Sequence, residues 1–179
     1  MQILVEKSKL IKVIVLIGVS VFLPGSPPIL AQSKKAKLVM KVYVGSNGAR
    51  HIVHSDGQDL EVPKEKDEVF DSTAPVISDD KHSAGWLVYY DNSCCTSYPI
   101  PLMLVIHRPA GPLLRLNGGR MICAWHFLAG GKRVAFYTNT VHGDFAPHYE
   151  LYNVRTGRLI EKLDGPLDEK SPTWTDGLH

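Results

Sequence analysis

One pattern occurs twice in this chain and begins a third time, and no other feature restricts the fold as much. Residues 74–118 run through a Pro-containing opening, the turn Ser78-Asp79-Asp80-Lys81, an aromatic strand around Trp86–Tyr90, a long loop, and LMLVIHRPAGPLLRLNG. Residues 121–165 repeat that order with the turn Ala129-Gly130-Gly131-Lys132, the strand RVAFY, another long loop, and YELYNVRTGRLIEKLDG. SPTWTDG near the C-terminus opens the cycle again. A period of roughly 47 residues is the length of four short strands with their turns. Strands are expected near 75–78, 85–91, 102–108, 112–116, 121–128, 132–139, 148–154 and 158–163. Each is rich in Val, Ile, Leu and aromatics and is closed by Gly, Asp, Asn or Pro.

Ahead of the repeat, Leu38–Val44 and Ile52-Val53 flank Gly45-Ser46-Asn47-Gly48, which reads as a β-hairpin whose Asn-Gly pair supplies the positive φ the turn needs. Residues 56–71 are acidic and turn-rich, with one strand near Leu60–Val62 and a solvated charged loop at Lys64–Glu68. No window of a dozen residues in the folded portion carries a helical period, so the domain is expected to be all-β. Arg108–Gly111 and Arg155–Arg158 occupy equivalent places as tight hairpin turns.

In the second unit, GGKRVAFYTN followed by HYELYNVRTGRLIEKLDG resembles the blades of the TolB-type, WD-like β-propeller repeat. SPTWTDG is similar to the opening of another blade, and Ala74–Asp80 to a degraded one. The resemblance spans residues 73–177, with Leu38–His54 as a half-blade before it. It implies antiparallel four-stranded sheets and ligand or protein binding, and it supplies no catalytic residues. Closed propellers need about four blades or more, and this chain holds two complete units. The expectation is therefore an open or sandwich-like pair of stacked sheets in a monomer, rather than a ring completed by several chains.

Lys7, Lys9 and Lys12 precede an apolar run from Val13 to Leu23, a Pro-Gly break and the small-residue exit Ile29-Leu30-Ala31. That is the layout of a signal peptide at 1–31, and the run is about half what a membrane-spanning helix needs. A polar, disordered linker at 32–37 and a single all-β domain at 38–179 are expected to follow. Export to the periplasm or the medium is implied, with no stable membrane span after cleavage. The whole chain carries 20 basic and 18 acidic residues; losing three lysines and Glu6 with the leader balances the two signs. A near-neutral exported domain lacks the clustered positive charge that a nucleic-acid partner requires.

Three cysteines, Cys94, Cys95 and Cys123, suit one disulfide in an oxidising compartment. Adjacent Cys94 and Cys95 would close a strained ring, so Cys94 or Cys95 with Cys123 is the expected pairing. Both units enlarge the loop between their second and third strands, at 91–101 and 139–148. These loops would form a ligand-binding face carrying Tyr98, His142, Asp144, Phe145 and His148, since binding residues concentrate on loops held by a rigid scaffold. The spacing of His142, Asp144 and His148 matches no strong ligand motif, so no metal and no cofactor is assigned. His51 and His54 lie three apart on an extended segment and point to opposite faces. The leading expectation is a secreted, non-enzymatic module that binds a protein or an envelope component. The alternative is a secreted hydrolase or metal-dependent enzyme using the His142–His148 loop.

Overall fold

Hydrophobic alternation in the central strands sets the architecture. In β6 (Ala84–Tyr90) almost every residue is apolar or aromatic, as expected of a strand covered on both faces. Ala84, Trp86 and Val88 join one buried cluster, while Leu87 and the partly buried Tyr89 join another. Its partner β7 (Ile100–His107) does the same, with Val105 on the first side and Leu104 and Ile106 on the second. The sheet that holds these strands is therefore the middle of three layers.

The computed structural model describes residues 37–69, 73–93, 95–109, 111–143 and 145–178, which belong to one compact unit. The expected leader, nearly all of the expected linker, Cys94 and Asp144 lie outside the described residues. Among those described, every strand pairing is antiparallel and each sheet follows chain order. The first sheet contains β1 (Val39–Val44), β2 (Arg50–His54) and β3 (Asp59–Val62). The middle sheet contains β4 (Glu68–Val69), β5 (Val76–Ile77), β6, β7 and β8 (Leu114–Asn117), with β4 and β5 pairing opposite ends of β6. The third contains β9 (Met121–Leu128), β10 (Arg133–Asn139), β11 (His148–Asn153) and β12 (Leu159–Asp164). Among the described residues the sheets close into neither a barrel nor a propeller ring. No helix among the described residues is long and apolar enough to cross a membrane.

The fold class is all-β with antiparallel sheets, and the strands of both repeat units lie within one or two residues of where the sequence places them. The stack has one layer more than the sequence suggests. The hairpin at 38–54 acquires β3 as a third strand, because Val62 turns inward and is 5 % exposed, with Val39 and Ile52 beside it. The rest of β3 is an exposed edge, and it lies where the sequence places a strand near Leu60–Val62.

Between the middle and third sheets, Leu87, Leu104, Ile106 and Leu116 meet Ile122, Val134, Phe136 and Val154. Each such fully buried side chain contributes about 1.5–3 kcal/mol. Gly85 belongs to this interface. A Cβ there would lie 2.6 Å from Ile106 Cδ1 and 2.7 Å from Trp125 Cη2, so only glycine lets the indole of β9 approach β6. The outer face of the third sheet (Ala135, Tyr149, Leu151) is covered by Trp174 and Leu178 from the C-terminal segment. SPTWTDG thus turns back as a short 3-10 turn at Thr173–Thr175 and serves as a lid over the sheet.

Between the first and middle sheets lies a buried ion pair. Arg50 of β2 donates to Glu68 Oε1 of β4 and to the Leu87 carbonyl, with its guanidinium 5.4 Å from the Trp86 ring centroid. The second carboxylate oxygen of Glu68 accepts from the Glu65 amide at 2.8 Å. A buried charge needs that degree of satisfaction to be tolerated.

Candidate functional site

Strand register sorts the connections into two ends. Tyr90 pairs Ile100, Met103 pairs Asn117, Met121 pairs Asn139 and Thr138 pairs His148. The segments 91–99, 118–120 and 140–147 therefore leave the middle and third sheets at the same end. The turns around 78–83, 108–113, 129–132 and 153–158 collect at the other.

At the loop end, segment 91–99 is tied to itself. Asp91 accepts from the Ser93 amide and hydroxyl, Asn92 O accepts from the amides of residues 95 and 96, and the Thr96 hydroxyl donates to Tyr98 O at 2.6 Å. These bonds hold the backbone while the Tyr98 side chain remains 54 % exposed. In the second loop, Asn139 Oδ1 accepts from the Thr140 amide and Thr140 O accepts from Gly143 N. Phe145 is 61 % exposed. Arg120, on the short connection between the sheets, donates from Nη1 to Ala146 O at 3.1 Å and sets its guanidinium 5.5 Å from the Phe145 ring centroid. Arg120 stands outside both long loops, so loop length in the sequence does not single out this cation–π contact.

His142 is exposed near the tip of its loop, and Asp144 lies outside the described residues. His148 is placed differently from the rest. It opens β11, where its Nδ1 meets Asp164 Oδ1 at 2.5 Å and its Nε2 meets Glu150 Oε1 at 3.0 Å. Burial draws its pKa down, but the hydrogen bonds and negative charge of Glu150 and Asp164 outweigh this and leave it raised. Asp164 is correspondingly held low, mainly by its bond to His148. Glu150 also accepts from the Tyr152 hydroxyl at 2.9 Å, and burial together with that bond raises the Tyr152 pKa. His148 is clamped in a side-chain ladder, with both nitrogens engaged. The structure thus keeps Tyr98, His142 and Phe145 exposed on the loop end and withdraws His148 from it.

Among the described residues no disulfide joins Cys95 to Cys123, and the alternative through Cys94 falls outside them. Cys123 sits on the edge strand β9, exposed, with Sγ 3.6 Å from Met121 O, and burial of part of its surroundings raises its thiol pKa. No group of three or more His, Cys, Asp or Glu residues is arranged for a metal ion among the described residues.

The turn end holds a cleft of about 320 Å³ lined by Asp80, His82, Pro109, Lys132, Asn153 and Arg155 among others. Most of its polar groups build the turns. Ser78 Oγ donates to Asp80 Oδ1, which also accepts from the His82 amide, and Asp80 N donates to Gly130 O. Arg108 donates from Nε to Pro112 O and from Nη1 to the carbonyls of Val154 and Arg155, stapling the matching turns of the two repeat units. Compared with protein-family models and with curated proteins, the chain matches none.

Proposed function

We propose that this chain is an exported, non-enzymatic binding module that recognises a protein or an envelope component through the loop end of its middle and third sheets. The observation that carries this reading is the exposed pair Tyr98 and Phe145 with Arg120 stacked between backbone and ring. Aromatic and arginine side chains supply most of the energy at recognition surfaces, and they do so cheaply when the backbone beneath them is already ordered. Hydrogen bonds within 91–99 and from Arg120 to Ala146 supply that order. The resemblance to TolB-type repeats favours binding over catalysis, and the leader-like N-terminus favours export. The clamping of His148 by two carboxylates weighs against a catalytic imidazole at that position.

The test is quantitative capture from periplasmic and culture-medium extracts by wild type and by a Tyr98→Ala/Phe145→Ala variant of equal melting temperature. A partner recovered by wild type and lost with the variant supports the reading. Equal recovery of every partner by both proteins contradicts it.

A further inference from the structure

Two histidines outside the loop face meet across the first and middle sheets. His54 closes β2 in the first sheet, and His107 closes β7 in the middle sheet. His54 faces inward because it alternates with buried Ile52 and Arg50; His107 shares its face of β7 with Val105. Their Nε2 atoms lie 3.2 Å apart across the interface, with ring centroids at 5.2 Å and planes inclined by 47°. His54 is buried, His107 is half-buried, and His54 Nδ1 has no hydrogen-bond partner.

A straight N–H···N bond at this separation would place the ring centroids ~5.5 Å apart. The observed centroid separation is 5.2 Å, slightly shorter than that. Two imidazoles on a tetrahedral zinc, each at ~2.0–2.1 Å, hold their nitrogens ~3.3 Å and their centroids ~5 Å apart. The observed separations, 3.2 Å between nitrogens and 5.2 Å between centroids, fit the second arrangement. Without a metal at most one proton can sit between the two nitrogens, so one lone pair always faces the other ring.

We propose that His54 and His107 form a binding site for a borderline divalent transition ion, with Zn2+ the reference case, which pins the first sheet to the middle one. The chemistry suits it. Imidazole nitrogen is a preferred donor for zinc and copper. No third protein ligand joins them among the described residues, so two coordination positions are left for water or an exogenous donor. That makes the site a two-histidine one with moderate affinity, unlike a closed structural zinc site. Binding to the folded state alone raises stability in proportion to occupancy.

The experiment is Zn2+ titration of the metal-free protein, read by calorimetry and by melting temperature, on wild type and on His54→Gln, His107→Gln and His142→Gln. Wild type and His142→Gln should bind one equivalent and melt higher with Zn2+. Each of the other two variants should bind at least about tenfold more weakly, which is the lower bound set by losing outer-shell partners alone. Electron paramagnetic resonance of wild type with one equivalent of Cu2+ needs no variant, and should show two coupled imidazole nitrogens. Unchanged affinity in both His54→Gln and His107→Gln, no Zn2+ binding by wild type, or a copper spectrum with fewer than two nitrogens would overturn the proposal.

Discussion

Arg50 is 6 % exposed and Glu68 is 9 % exposed, so each charge depends on the other. Removing one partner strands a buried charge, and Glu68→Ala should cost about 3–5 kcal/mol in urea denaturation. A loss under about 1 kcal/mol would mean that the pair is effectively hydrated. Gly131 is a second point of strict geometry. Its φ is +99°, and an added Cβ would stand 2.5 Å from Ser78 Cβ, so Gly131→Ala should be strained by backbone and contact alike. Circular-dichroism melting should place it well below wild type; an unchanged midpoint would show that the two repeat turns are not packed as described. His148 gives a pH signature. Its folded pKa lies above the unfolded value of about 6.5, so its pairing stabilises fully below that pH and fades as pH rises through the folded pKa. His148→Ala should therefore lose more stability relative to wild type at pH 5.5 than at pH 8.5. A gap independent of pH would contradict the clamp.

At the level of elements, the two repeat units were readable because turn chemistry and alternation agree in them. Gly130-Gly131 and Thr156-Gly157 mark reversals, and strands such as RVAFY place Val134, Ala135 and Phe136 where burial is complete. What stayed hidden depends on partners distant in sequence. His54 and His107 are separated by 53 positions, and no local spacing can announce such a pair. The exposed face was legible in Tyr98 and Phe145, whereas His148 belonged to a strand ladder completed by Glu150 and Asp164. The third, incomplete repeat has a role that its sequence alone does not disclose: Trp174 caps the outer face of the third sheet with Leu178. Trp174→Ala should cost about 3–5 kcal/mol by the same logic as other buried aromatic truncations, read from the denaturant midpoint.

Over the whole molecule, the three layers divide labour. The middle sheet is buried on both faces, the outer sheets carry the exposed edges β3 and β12, and the connections separate into a stapled turn end and an aromatic loop end. On the proposed reading, recognition would lie on loops that can change while the strands beneath them stay fixed. The central claim is that partners meet the molecule at the loop end. It is tested most directly by a photo-crosslinking amino acid placed at Phe145 in one protein and at Ile160, an exposed apolar residue on the edge strand β12, in another. Crosslinking to a distinct partner from position 145, with none from 160, is the predicted result. Equal crosslinking at both, or capture from 160 alone, would place the binding surface elsewhere and contradict the account.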